Sequence, residues 1–301
     1  MAPTLRRAAA PVDYAAGNWR AAESGYAGVM TALSLPPRSL GDHLRLWRQR
    51  RRLTQLDLAL EVEMSQRHLS FIESGRARPS QRAVLRLAEG LDLPLRARNA
   101  LLLAAGYAPV FGERALDDPA LRPAREALER LLTAHEPYPA LAIDQRWTLV
   151  SANRALLPFL AGVADQRLLE PPVNVLRLSL HPHGLAPMIL NLGEWRAHLL
   201  ERLRRQSLAT ADPTLEALVT ELAGFPAPPQ TAPLEDFGGV FIPLHLRTPV
   251  GEVTLFSTTT VFGTPTDITL AELMLEAFYP ADDTSANRLR QLAATPAAAA
   301  P

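Results

Sequence analysis

Between residues 40 and 106 apolar positions recur every three to four residues, but only in short bursts, and hydroxyl residues mark where the bursts begin. Thr54 can cap one such burst, with Asp57 at the third position bonding back to the cap, while Leu53 and Leu58 form a hydrophobic staple across it. Ser65 repeats the device with Met64 and Leu69, and Ser80 repeats it with Pro79 and Val84. Three independently specified starts predict separate short helices joined by tight turns. In the helix beginning at Ser65, Leu69 and Ile72 fall on the side that must be buried. Residues 67, 70 and 71 project roughly opposite, with Gln66 at the exposed N-terminal edge.

The pattern changes further along. Residues 119–134 predict a linking helix with Leu121, Leu128, Leu131 and Leu132 on one side. From Pro137, ALAID and WTLVSA read as two strands around an Asp144-Gln145-Arg146 turn, and Asn153 then opens a helix. Helical segments follow near 172–180, 191–206 and 212–223. GVFIPLHLRT and GEVTLFSTTTV predict a hairpin about Pro249-Val250-Gly251. A final helix is expected near 268–278, then an acidic turn at Asp282-Asp283 and a low-complexity tail. The expected divisions are a largely disordered extension over 1–37, a helical domain over 38–106, a linker helix over 107–136, an α+β domain over 137–290 and a tail over 291–301.

Composition adds little until it is localised. The 31 basic and 31 acidic residues cancel, yet residues 38–98 hold 13 Arg against 7 acids, so the rest of the chain is acidic. A basic segment on an acidic chain implies a polyanionic partner for that segment alone. There is no cysteine, which excludes disulfides, zinc fingers and iron–sulfur clusters and fits a reducing cytoplasm. No apolar run reaches the length of a membrane span. A helix presenting Gln66, Arg67 and Ser70 has hydrogen-bonding reach into a major groove. Phe71 has two readings, contact with thymine methyl groups or packing on a neighbouring helix.

Residues 40–106 resemble the helix-turn-helix of the XRE/Cro-repressor family. The resemblance is carried by Leu44, Trp47 and Arg48, then Thr54, Gln55, Leu58 and Ala59. Ser65, Leu69, Ser70, Ile72, Glu73 and Gly75 continue it, and Arg78 to Ser80 complete it. It implies that Gln55 reaches the DNA backbone and that Ser65 opens the recognition helix. It makes Gln66, Arg67, Ser70 and Phe71 the base-facing residues, and Arg76, Arg78 and Ser80 phosphate contacts. Glu63 and Arg52 stand where the family has glycine, and a left-handed backbone there costs a non-glycine residue roughly 1 kcal/mol. Arg50-Arg51-Arg52 reads first as a solvated helix end, and Glu73 as a structural tie.

Residues 119–290 resemble the MmyB-like ligand-binding domain found behind such modules, through His135 to Ala140, Trp147 to Asn153 and Thr269 to Asp282. The fold class expected is therefore multidomain: an all-α, lambda-repressor-like helix-turn-helix of five helices, then an α+β PAS-like domain. The resemblance implies a receptor for a hydrophobic small molecule, fatty-acid-like ligands foremost. Candidate cavity liners are Trp147, Leu149, Leu180, Met188, Ile189, Trp195, Leu199, Phe241, Leu255 and Phe256, each also readable as simple core. Arg196, His198 and His245 are candidates to pair with a carboxylate head. His181 and His183 astride a proline read as a turn, and no cofactor, metal or enzyme signature is expected. The expected function is ligand-responsive regulation of transcription by a homodimer on a double-stranded DNA operator. The alternatives are a rear domain that only dimerises or binds protein, and an enzyme fused to a DNA-binding module.

Overall fold

Five helices fill residues 40–104 of the computed structural model, which describes residues 39–228 and 242–294 together with the backbone of 19–20. They are α1 (Leu40–Arg50), α2 (Gln55–Glu61), α3 (Gln66–Glu73), α4 (Gln81–Gly90) and α5 (Leu95–Ala104). The starts are those the sequence specifies. The Asp57 amide donates to Thr54 Oγ1 at 3.1 Å and the Thr54 amide to Asp57 Oδ2 at 2.8 Å. Ser39 and Asp42 close a second capping box before α1, and Ser65 and Ser80 accept from the His68 and Ala83 amides.

The stops share one device. Every helix of the five is followed by a residue in the left-handed region: Arg52 (φ 57°), Glu63 (48°), Gly75 (73°), Asp92 (48°) and Gly106 (82°). Its amide reaches back three residues and the next amide reaches back five, as in Glu63 to Leu60 at 3.2 Å and Met64 to Ala59 at 2.8 Å. This pairing satisfies carbonyls that a helix end otherwise leaves bare. Arg52, Glu63 and Asp92 hold it without glycine, each against about 1–2 kcal/mol of backbone strain. Leu44, Trp47, Leu58, Leu69, Ile72, Leu87 and Leu101 form the core. α1 crosses α3 so closely that a Cβ on Gly41 would lie 2.0 Å from the Glu73 carbonyl oxygen.

Beyond a connector, α6 (Arg122–Ala134) leads into an antiparallel sheet. Its strands are β1 (Trp19–Arg20), β2 (Ala140–Ile143), β3 (Leu149–Ala152), β4 (Leu244–Thr248), β5 (Gly251–Val261) and β6 (Met274–Pro280). They lie in the order β1-β3-β2-β6-β5-β4. Leu128 and Leu132 of α6 cover one face, against Ala140, Ala142 and Ala277. The other face carries the larger core, roofed by α7 (Leu157–Leu160), α8 (Val175–Leu180), α9 (Leu192–Thr210) and α10 (Pro213–Ala223). The architecture is an all-α domain followed by an α+β domain.

Three expectations need correction. The helix expected over 268–278 is a single turn, α11 (Ile268–Ala271), and residues 274–280 form the central strand β6. Met274, Glu276 and Phe278 face the larger core while Leu275 and Ala277 face the other way, a period of two hidden by residues that favour helices. The acidic turn instead opens α12 (Asp283–Ala294): Asp282 accepts from the Ser285 amide at 2.7 Å and hydroxyl at 2.9 Å, and Leu289 and Leu292 join the core. Leu131 points to solvent, with Leu121, Leu128 and Leu132 buried. Of the segment 1–37, Trp19 and Arg20 pair with Ala152 and Ser151; the rest of that segment lies outside the described residues.

The two domains meet along a polar seam. Arg50 donates to the Leu208 carbonyl at 3.3 Å and lies 3.9 Å from Glu216. Arg96 holds Glu272 at 2.8 Å and Glu113 at 2.7 Å, and Arg114 holds Asp267 at 2.9 Å. Ala211, which ends α9, packs on the helical core.

Candidate functional site

Two surfaces concentrate the chemistry. The first is the outer face of α3. Leu69 and Ile72 anchor the helix inward, leaving Gln66 and Arg67 exposed and Ser70 and Phe71 half-buried. The Arg67 guanidinium lies over the Phe71 ring, 5.4 Å from its centroid, within cation–π range. Beneath α3 lies a tie between helices. Glu73 accepts from Arg48 Nε at 2.8 Å and Nη2 at 3.1 Å, and from Gln55 Nε2 at 2.8 Å. Glu73 is thus structural, as its position suggests, and one Gln55 amide hydrogen is turned inward to it.

The remaining residues expected to meet DNA divide by their contacts. The Ser65 and Ser80 hydroxyls cap their own helices, so what each leaves facing outward is a helix N-terminus. Arg76 is exposed, and Arg78 stacks over Tyr107, 5.9 Å from the ring centroid. Of the Arg50-Arg51-Arg52 run, only Arg52 is an exposed, solvated end. Arg51 donates to the Leu91 and Asp92 carbonyls at 3.0 and 2.7 Å, closing the end of α4, while Arg50 joins the seam.

The second surface is internal. A cavity of about 110 Å³ lies between the sheet and α7 to α9. Trp147, Leu149, Met188 and Trp195 line it, as do Ile189, Leu199 and Leu255. Phe256 does not: strand alternation sends it to the opposite face, where it stacks on Tyr279 at 5.3 Å. Leu180 is core outside the lining, and Phe241 lies outside the described residues. Missed by the sequence reading were Phe159, Leu176, Leu178, Ser179, Glu276 and Phe278. The signal for the last two was the alternation in 274–279.

Among the lining residues Trp147 has a positive φ of 63°, a strained geometry for so bulky a residue. Its surroundings impose it. The Trp147 amide donates to the Asp144 carbonyl at 3.0 Å, its indole donates to Gln206 at 2.8 Å, and Arg202 lies 4.6 Å over the ring centroid. Burial pushes the Asp144 carboxyl above its ordinary range, against the Thr148 and Arg146 amides that bond it.

None of the cations expected to meet a carboxylate lines the cavity. Arg196 donates to the Leu222 and Ala223 carbonyls, and His245 bonds Thr254 at 3.1 Å. His198 sits beside Trp195, where burial and the charge of Arg202 lower its pKa. His181 and His183 form a turn, the His183 amide donating to His181 Nδ1 at 3.1 Å.

A five-helix domain with an exposed polar edge on α3, joined to a sheet with a roofed apolar cavity, has the layout of a class, the DNA-binding regulator with a receptor domain. Residues 39–101 match the model of a helix-turn-helix domain, and residues 124–292 match that of the MmyB-like transcription regulator ligand binding domain. The second match spans more than half of the chain, which therefore belongs to the MmyB-like transcription regulators. No curated protein matches it. Among the described residues no helix is long and apolar enough to cross a membrane.

Proposed function

We propose that this regulator reads its operator with α3 in the major groove and that an apolar molecule in the cavity controls the reading. Gln66, Arg67 and Ser70 face the bases. Arg76, Arg78 and the N-terminal ends of α3 and α4 face phosphates. The single observation that carries the reading is the two-sidedness of α3, whose inner face is locked to α1 and α2 through Glu73 while its polar edge is left exposed.

Helix α9 supplies the link between the surfaces. Trp195 and Leu199 form part of the cavity wall, and the far end of the same helix meets the DNA-binding domain at Leu208 and Ala211. A ligand that shifts α9 shifts the seam, biasing the placement of two reading helices in a homodimer. Arg67→Ala is the test, measured on an operator recovered by selection from random DNA and on a scrambled duplex. The operator is expected to lose at least about fivefold in affinity, in line with about 1–3 kcal/mol for a base contact. Binding to the scrambled duplex is expected to change little. Equal loss on both duplexes would refute the assignment.

A further inference from the structure

The cavity has a floor and a roof, and they reach the helical domain by different routes. β6 supplies Phe278 to the floor, and α9 supplies Trp195 and Leu199 to the roof. The floor is tied to the helical domain firmly. Residues 267–272, which lead into β6, grip the connector that follows α5. The Ile268 amide donates to the Gly112 carbonyl at 2.8 Å, the Thr269 hydroxyl donates to the Arg114 carbonyl at 2.6 Å, and Arg114 pairs with Asp267 at 2.9 Å. Arg96 of α5 donates to both carboxylate oxygens of Glu272, each at 2.8 Å. The roof meets the same domain more lightly. Arg50 donates to the Leu208 carbonyl at 3.3 Å, and Ala211 packs on the helical core.

Between its two ends α9 is pinned to the sheet. Arg202 donates to Glu276 of β6 at 2.7 Å and to Thr259 of β5 at 2.8 Å, and its guanidinium lies 4.6 Å over the centroid of the Trp147 ring. One turn further, Gln206 accepts from the Trp147 indole at 2.8 Å and donates to the Gln145 carbonyl at 2.6 Å. Both pins therefore bear on Trp147, whose buried ring is held from several sides. At ~1.5 Å per residue, Trp195 stands about 10 Å before Arg202 along the axis, and Ala211 about 7 Å beyond Gln206. The cavity lies on one side of the pins and the helical domain on the other.

A close-packed interior resists compression, so an occupant larger than the empty space of about 110 Å³ moves its walls apart. A stiff helix held near its middle returns that movement at its other end. Resting on the reading of this cavity as the control site, we propose that α9 is a lever with its fulcrum at Arg202 and Gln206 on Trp147. An occupant that lifts the Trp195 end turns the Ala211 end against a helical domain already fastened to the floor. Arg202 is thereby a positioning residue, acting on operator binding from outside the DNA interface.

The test uses the full chain and replaces the unidentified ligand with two fillers from different parts of the lining, Leu178→Trp and Leu185→Phe. Operator affinity is measured by fluorescence anisotropy, and each filler is expected to change it by at least about fivefold, near 1 kcal/mol of coupling. In an Arg202→Gln background the same fillers should change it by less than about twofold. Arg205→Gln is the control, since Arg205 pairs with Glu201 on its own helix at 2.8 Å, and there the full change should persist. A full change surviving in Arg202→Gln would overturn the lever while leaving the cavity a control site. Equal loss in Arg205→Gln would also overturn it, because charge on α9 would then matter and the pin would not. If neither filler alters operator affinity, the cavity reading fails and the lever with it. Should Arg202→Gln fail to fold, Gln206→Ala decides: a smaller response supports the fulcrum and an undiminished one refutes it.

Discussion

Replacing Glu73 with alanine removes one side chain and strands another. Arg48 and Glu73 have side chains only 13% and 2% exposed, and their bidentate contact is shared with Gln55 across α1, α2 and α3. Removing the acid leaves Arg48 largely enclosed with no carboxylate, and breaking a buried pair from one side costs about 3–5 kcal/mol. That is a large share of the roughly 5–15 kcal/mol that holds a domain folded. For a domain this small it corresponds to a melting temperature lower by roughly 15–30 °C. The measurement is urea unfolding followed by far-UV circular dichroism, with hydrogen exchange at the amides of α1 to α5 to locate the loss. Arg48→Met combined with Glu73→Leu should recover most of the stability, because apolar replacement of both partners leaves no orphaned charge. The reasoning is wrong if Glu73→Ala costs less than about 1 kcal/mol. It is equally wrong if the double variant is less stable than the single one.

The helix ends give the next expectations. Glu63→Gly relieves a left-handed residue at the turn before α3 and should raise stability by about 0.5–1 kcal/mol, seen as a higher urea midpoint with unchanged slope. Hydrogen bonds from Ser39 and Thr54 hold the Asp42 and Asp57 carboxyls below their ordinary value. A carboxyl with a depressed folded-state pKa contributes stability that is present above its unfolded value, near pH 4, and lost as pH falls through the folded value. Acid titration of the melting temperature should therefore fall less steeply in Asp57→Asn than in the unaltered chain below about pH 4. Parallel curves would count against the capping role.

How much of this was legible in the sequence depended on whether the determining contacts were local. The starts at Thr54, Ser65 and Ser80 were readable because a cap and its staple lie within five residues of each other. The left-handed stops at Arg52 and Glu63 were readable only against a family pattern, and Asp92 was not readable at all, since no composition signal marks a non-glycine residue in that conformation. β6 was misread because Leu, Met, Glu and Ala favour helices when considered alone. Its identity as a strand comes from pairing with β2 and β5, far away in the chain. The same error concealed Glu276, whose role depends on Arg202 across the domain. Trp147, Leu149, Met188 and Trp195 were found because large apolar residues in a receptor-like layout tend to face its interior. Phe256 was lost to a one-residue question of strand phase.

The pairing of β2 with β6 also bears on how the molecule is made. Every strand contact of Ala140 to Ile143 with its inner neighbour awaits residues 274–277, and α12 reaches the core later still. The helical core draws almost entirely on residues 40–107. During synthesis from the N-terminus the DNA reader therefore has its partners long before the receptor domain does. For an interval on the ribosome a nascent helix-turn-helix domain stands complete while the ligand-binding domain behind it does not yet exist.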